Sequence, residues 1–456
     1  MKADDLLKDE EYQQAKKKIL EVIEKHQKGL SARPALPELS ANYEQLLEQM
    51  GKLRGNPLFY PYLGSGFGRG PLVELADGSV KYDLISGIGV HFFGHLNRPM
   101  TSEVLDAAVA DIVMQGHLQS NREIVELSEL LLRAVNKHGA GFEHTFITSS
   151  GAMANENALK IAFNSRPGAD RVLAFTANFA GRTMAISQIT DKPAFRQNLP
   201  EILKVDYVPY YKKGVENTIE RSLNRLKKHI WRHPGKHACM IFELVQGEGG
   251  FNVGTAEFFK ALMNECRQNG ILVFVDEIQT FGRTPQMFAT DYFGLGEMVD
   301  LLTIGKLAKV CTTYFRKEIA PKPGLLSQTF ISSTVAIRAG KYVMQQLLSE
   351  PYYGDDGIVV KVSDYVRKKL TELSQKHSQL IHAPQGLGSM VSFQVYDGSL
   401  EKTRKFARTL FDNGVICFTA GNNPMRIRFL LPAGNLENDD VDNAMKIIED
   451  TLQQCS

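Results

Sequence analysis

Hydrophobic positions change their spacing along this chain, and the changes mark its parts. Residues 1–30 set Ile19, Leu20, Val22 and Ile23 among many lysines and glutamates, which predicts a charged helix. Pro34 and Pro37 break it, and 43–50 reads as a second helical piece. Glycine then occupies every second position of Gly64-Ser65-Gly66-Phe67-Gly68-Arg69-Gly70. The spacing is GxGxGxG rather than GxGxxG and no helical pattern follows. A dinucleotide-binding turn is therefore set aside, and the glycines are expected to form a plain loop. Leu72 to Leu75, Asp77-Gly78 and 80–84 read as a β-hairpin.

From about residue 100 the period alternates. Helical stretches at 101–114, 124–135, 153–163, 215–229 and 256–269 are separated by short apolar runs at 145–148, 172–175, 239–245, 271–275 and 301–304. Such alternation predicts an α/β fold, a mostly parallel sheet covered by helices. A long helical region at 332–373 follows. Strands at 388–395 and 425–430 and helices at 400–412 and 439–454 then describe a small α+β domain. The expected division is a helical extension at 1–60, part of the small domain at 61–100, a large domain at 101–335 and the rest of the small domain at 336–456.

Composition narrows the function. Lys and Arg total 53 against 51 Asp and Glu, a net charge of +2, which gives no bulk attraction for nucleic acid or an anionic membrane. Hydrophobic residues at 43% and charged residues at 23% are the mixture of a globular protein. The five cysteines are odd in number, widely spaced and without CxxC, so neither a disulfide framework nor a zinc site is expected. The acidic Met1-Lys2-Ala3-Asp4-Asp5 does not read as a signal peptide, and the charge-free stretch 84–97 is too short to span a membrane. A cytoplasmic protein is the expectation.

Four features sit at the ends of predicted strands, where open α/β sheets bind ligands. Thr148-Ser149-Ser150-Gly151-Ala152 precedes a helix and offers backbone N–H groups to a phosphate. Val273-Phe274-Val275-Asp276 ends a buried strand in a carboxylate suited to a cationic nitrogen. Leu302-Thr303-Ile304-Gly305-Lys306 ends another in an amine that desolvation would make nucleophilic. Lys309 competes with it from the following turn, where solvation is easier. Phe242-Glu243-Leu244-Val245-Gln246-Gly247-Glu248-Gly249-Gly250 ends a third in a glycine-rich loop. Each has an ordinary reading too: a Ser N-cap, a capping Asp, a solvated Lys, a plain turn. Together they suit a cofactor with a phosphate, a basic ring nitrogen and an aldehyde, demands that pyridoxal phosphate meets.

The order and spacing of these runs resemble the class III aminotransferases, the subgroup II ω-aminotransferases of the fold type I pyridoxal-phosphate enzymes. The matching runs are Ser150-Gly151-Ala152 with Ala154-Asn155-Glu156, Gln246 to Gly250, Asp276-Glu277-Ile278-Gln279-Thr280-Phe281-Gly282-Arg283-Thr284, and Asp300 to Lys306. The resemblance implies that Lys306 joins the cofactor aldehyde and moves the proton, and that Asp276 pairs with the ring nitrogen. It implies that Gln279 lies near the ring hydroxyl, that Phe179 stacks on the ring, and that Ser150, Gly151 and Ala152 hold the phosphate. Thr329 would reach the phosphate of a partner subunit in a homodimer with shared active sites. Arg428 would bind a substrate carboxylate, with Glu248 as its exchangeable partner.

This chain departs from the family's usual residues at Ala180, at Thr280-Phe281, at Lys309-Val310-Cys311-Thr312-Thr313 and at Ile331-Ser332-Ser333-Thr334. These positions bear on the substrate and leave the cofactor residues intact. Gly305 to Cys311 is similar to the lysine 6-aminotransferase and 4-aminobutyrate aminotransferase branch. The implied activity is ping-pong transfer of an amino group from an ω-amino acid or diamine-type donor to a 2-oxo acid, 2-oxoglutarate or pyruvate. The alternative is an aminomutase, racemase or decarboxylase on the same fold. A non-enzymatic binding protein would need neither Lys306 nor Asp276.

Overall fold

Val273, Phe274 and Val275 are wholly buried, as are Leu301, Leu302 and Ile304, because each run is a strand inside one seven-stranded sheet. This computed structural model describes residues 1–349 and 351–456. The described chain forms two compact units, Met1–Asp106 with Ile358–Ser456, and Ala107–Gly357. The sheet belongs to the second unit. Its spatial order is His144–Thr148, Cys311–Phe315, Leu301–Ile304, Leu272–Glu277, His237–Phe242, Arg171–Phe175, Lys204–Val208. Only Cys311–Phe315 runs against the others, antiparallel to both its neighbours.

Two of these strands carry no legible apolar run. Lys204–Val208 lies at the sheet edge and interleaves Lys204 and Asp206 with its apolar residues. Cys311–Phe315 is nearly all buried, yet its centre is Thr312 and Thr313. Their hydroxyls are satisfied internally, Thr312 by Thr145 at 2.6 Å and Thr313 by the Ala154 carbonyl at 2.8 Å. A polar β-branched pair can thus fill a core strand. The helix Gly151–Ser165 lays Ala154, Ala158, Ile161 and Ala162 on the sheet, all with zero exposure. Small side chains let its backbone approach closely.

The expected helix at 101–114 is shorter, Arg98–Ala108, and Met114–Gln115 instead pairs antiparallel with Ser332–Ser333. The long helical region is two helices, Thr334–Ser349 and Ile358–Lys376, with Pro351, Gly354 and Gly357 between them. Thr334–Ser349 therefore belongs to the large unit, beyond the boundary expected after 335.

In the other unit the glycine run is not a loop. Gly64–Arg69 is a strand paired antiparallel with Leu72–Leu75, which continues to Val80–Asp83 and Val415–Ile416. A Cβ at Gly68 would lie 2.6 Å from the Leu72 carbonyl oxygen, so glycine there permits the close pairing. A second four-stranded sheet orders Gln385–Leu387, Met390–Phe393, Met425–Leu430 and Phe418–Gly421. The charged N-terminal stretch is two helices, Lys2–Lys8 and Glu10–Gln27, separated by Asp9, whose side chain accepts from the Tyr12 N–H at 3.1 Å. Pro37–Arg54 is a third helix. No helix among the described residues is long and apolar enough to cross a membrane.

Candidate active site

The carboxyl ends of the parallel strands border a cavity of about 430 Å³ within the Ala107–Gly357 unit. Gly151, Ala152, Phe179, Glu248, Asp276, Gln279 and Lys306 all line it. Ser150 directly precedes them as N-cap of the helix Gly151–Ser165, its hydroxyl accepting from the Met153 N–H at 3.3 Å. That helix end presents its positive dipole and its first N–H groups at the cavity. Thr329 and Arg428 are not among the lining residues. Thr329 is exposed, in a segment where the Gln328 N–H donates to His117 Nδ1 at 2.9 Å. Arg428 belongs to the other unit, 1% exposed on Met425–Leu430, its guanidinium 5.6 Å from the centre of the Phe418 ring.

Asp276 is buried at the end of its strand. One carboxylate oxygen accepts from the Ile278 N–H at 2.9 Å and the other from the Asn155 amide at 2.7 Å. Burial pushes its pKa up to about 6, and the Ile278 and Asn155 hydrogen bonds and the Lys306 charge limit the rise. Asn155 also donates to the Ala180 carbonyl at 2.8 Å, and accepts from the Thr303 hydroxyl at 2.8 Å. Its three bonds fix which way the amide faces. Asn155 carries no role that its local sequence shows. The available signal was its place four residues after Gly151, on one face of the helix.

Glu243 likewise has no signal of its own in the sequence. It lines the cavity and accepts from the Gly247 N–H at 2.8 Å and the Phe179 N–H at 3.2 Å. It thereby ties the glycine-rich loop to the aromatic residue. Burial, and then the nearby Asp276 charge, push its pKa up to about 8. The loop carrying Phe179 comes close to the helix because residue 181 is glycine. At φ +128°, a Cβ there would lie 2.8 Å from that of Ala152.

The two candidate lysines separate clearly. Lys306 lines the cavity and takes φ +48°, a left-handed backbone that side chains rarely adopt. Lys309 is not among the lining residues. It is not a solvated turn residue either: burial, and then the charge of Arg283, push its pKa down to about 8. Its tertiary setting desolvates a position that reads locally as an open turn.

Residues 66–452 match the family model for the class-III aminotransferases. This chain is a class-III aminotransferase. It is 31% identical to the 2-aminoadipate transaminase of Pseudomonas putida, across 85% of this chain and 95% of that protein. It is 30% identical to the 5-aminovalerate aminotransferase of Pseudomonas aeruginosa, across 78% of this chain and 85% of that protein. The lysine aminotransferase of M. tuberculosis has the same fold, with a TM-score of 0.79 at 21% identity, covering 90% of this chain and 100% of that one.

Class-III aminotransferases transfer amino groups with pyridoxal phosphate, and this aminotransferase has residues that fit it. A buried carboxylate, a lysine and a helix N-terminus border one cavity. Gln279 Oε1 is buried with no hydrogen-bond partner among the described residues, an acceptor suited to a ring hydroxyl. The raised Asp276 pKa sets an expected pH dependence. Below about pH 6 the apoenzyme holds a proton on Asp276 that must leave before it can pair with a cationic ring nitrogen. Cofactor affinity should therefore fall as pH drops through about 6, by up to about tenfold per unit. Titrating apoenzyme with cofactor between pH 5 and 8 checks this, and the fall should be shallower in Asp276→Asn, where the cofactor phosphate, with a second pKa of about 6, still titrates.

Proposed function

We propose that this aminotransferase moves an amino group from an ω-amino acid or diamine-type donor to a 2-oxo acid, 2-oxoglutarate or pyruvate, by a ping-pong route. The observation that carries the reading is one cavity holding the Lys306 amine, the buried Asp276 carboxylate and the helix end at Gly151. The donor class draws support from the motif resemblance and from the 5-aminovalerate relative. The transaminase names of the relatives favour this over the aminomutase, racemase or decarboxylase reading.

When bound, the cofactor supplies the electron sink for the carbon that loses its proton. Lys306 is the amine that anchors the cofactor and carries that proton. Asp276 offsets the ring nitrogen's charge, and Asn155 and the Ile278 N–H hold the carboxylate still. Phe179 would cover a ring face, Gln279 would accept from the ring hydroxyl, and Ser150, Gly151 and Ala152 would hold the phosphate. The motif resemblance would give Arg428 the carboxylate beside the reacting carbon, and Glu248 the role of offsetting that charge when the donor has none there.

A half-reaction screen of amines, amino acids and 2-oxo acids, followed through the cofactor spectrum, tests the reading. An ω-amine should convert the cofactor and a 2-oxo acid should convert it back. Conversion by α-amino donors alone, as the name of the 2-aminoadipate relative would suggest, overturns the donor class. Arg428→Ala should slow the 2-oxo-acid half-reaction about 10²-fold, the scale for removing one partner of a buried charge pair, and the ω-amine half far less.

The working unit is proposed as a homodimer in which Thr329 reaches the partner's phosphate site. In the single chain, exposed apolar side chains gather on and next to the ribbon of Met114–Gln115 and Ser332–Ser333: Val113 at 67%, Met114 at 56%, Leu118 at 94% and Phe330 at 42%. A symmetric partner would cover them. Sedimentation should give a dimer, and a monomer with tightly held cofactor would contradict it. The five cysteines are all free thiols, which suits the cytoplasm proposed for it.

A further inference from the structure

Glu248 lines the cavity, and its Oε2 lies 3.4 Å from Lys192 Nζ. Lys192 is not itself among the lining residues. We infer that Lys192 is a positioning residue for substrate choice: by pairing with Glu248 it sets the charge that the cavity wall presents to a substrate carboxylate. The inference rests on the reading of the cavity as the aminotransferase site and goes beyond it to the substrate class.

Both sides of the pair are held by backbone. Lys192 precedes Pro193, which keeps it extended at φ −139° and ψ 101°. Its N–H donates to the Thr190 carbonyl at 2.8 Å, and its carbonyl accepts from the Phe195 N–H at 3.0 Å. Its ammonium sits 5.3 Å from the centre of the Phe195 ring, which also carries Arg182 at 4.0 Å. Phe195 in turn meets Phe179 edge to face at 6.2 Å. On the other side, the Gly247 N–H is held by Glu243 at 2.8 Å, and the Phe251 N–H by the Gln246 carbonyl at 2.8 Å. The pair thus joins the turn after the short helix Ile186–Ile189 to the glycine-rich loop.

The consequence is electrostatic. With Lys192 present, the carboxylate on the wall is neutralised and an anionic substrate meets little repulsion. Without it, the Glu248 charge is less offset, so a carboxylate meets more repulsion than an amine that has none. Lys192 and Glu248 are 34% and 21% exposed, so water and salt screen the effect. A change of about twofold to fivefold is the expected scale.

The test uses the holoenzyme and single-turnover spectroscopy. One arm converts the aminated cofactor with 2-oxoglutarate, and the other converts the resting cofactor with a carboxylate-free diamine. The variants are Lys192→Gln, Lys192→Arg, Glu248→Gln and the Gln/Gln double. Lys192→Gln should weaken 2-oxoglutarate about fivefold through its half-saturating concentration, and leave the diamine unchanged or improved. Lys192→Arg should restore 2-oxoglutarate. In the Glu248→Gln background the Lys192→Gln effect should shrink, because without its partner the ammonium is no longer held at the wall. Equal losses in both arms, loss of bound cofactor in Lys192→Gln, or an undiminished effect in the Glu248→Gln background would each overturn the inference. If no ω-amine reacts, the donor reading fails by itself. The 2-oxoglutarate arm, loaded with an α-amino donor, still reports on Lys192.

Discussion

Lys306→Ala is expected to abolish turnover, by about 10⁴-fold or more. General acid–base catalysis by a positioned side chain is worth up to about 10⁴-fold alone, and this lysine is also the one proposed to anchor the cofactor. The other nearby amine is a poor substitute. Lys309 is not among the cavity-lining residues, and its lowered pKa arises from burial and the charge of Arg283. The check is steady-state activity together with the absorbance of the bound cofactor. Lys306→Ala should still bind cofactor through the phosphate and ring contacts, but without the covalent link. Should Lys309→Ala be the dead variant and Lys306→Ala an active one, the assignment is off by one turn of chain.

Asp276→Asn is the second large effect, an expected loss of about 10²–10³-fold in turnover with the fold intact. A fixed charge aimed at charge that develops during reaction is worth this much when water is excluded. The amide fills the same space, and the Ile278 N–H keeps an oxygen to bond. The new NH2 faces the Asn155 amide, which donates to Asp276, so relief of the buried charge is offset by two opposed donors and the apoenzyme should melt within a few degrees of the parent. Thermal melting separates this from misfolding. Near-normal activity would mean that another group meets the ring nitrogen, and Glu243, also lining the cavity, would be the first to examine.

Much of the large unit can be read from the sequence because its strands are buried on both faces. A strand inside a parallel sheet must be apolar throughout, so Val273-Phe274-Val275 and Leu301 to Ile304 stand out without any partner in view. Where a strand is polar or sits at an edge, that signal fails. Cys311–Phe315 hides behind Thr312 and Thr313, whose hydroxyls find partners only once the helix and the next strand are in place. Gly64–Arg69 hides behind its glycines, whose extended pairing depends on a neighbouring strand. The break between Thr334–Ser349 and Ile358–Lys376 was locally visible in Pro351 and the two glycines after it.

For the site, the sequence by itself determined the chemistry on offer. A carboxylate, an amine and a small-residue helix start each close or follow a strand, and residues at the carboxyl ends of one parallel sheet must converge. That is why Asp276, Lys306, Gly151 and Ala152 come together over a single cavity. Tertiary structure alone decided which neighbours tune them. It chose Lys306 over Lys309 for the cavity and desolvated the lysine it left out. It brought Asn155 to Asp276 from 121 residues away, and Lys192 to Glu248 from 56. Local pattern registers periodicity and strand ends, because these are properties of adjacent residues. Partners of a buried charge are set by which elements pack together, and no spacing along the chain encodes that distance.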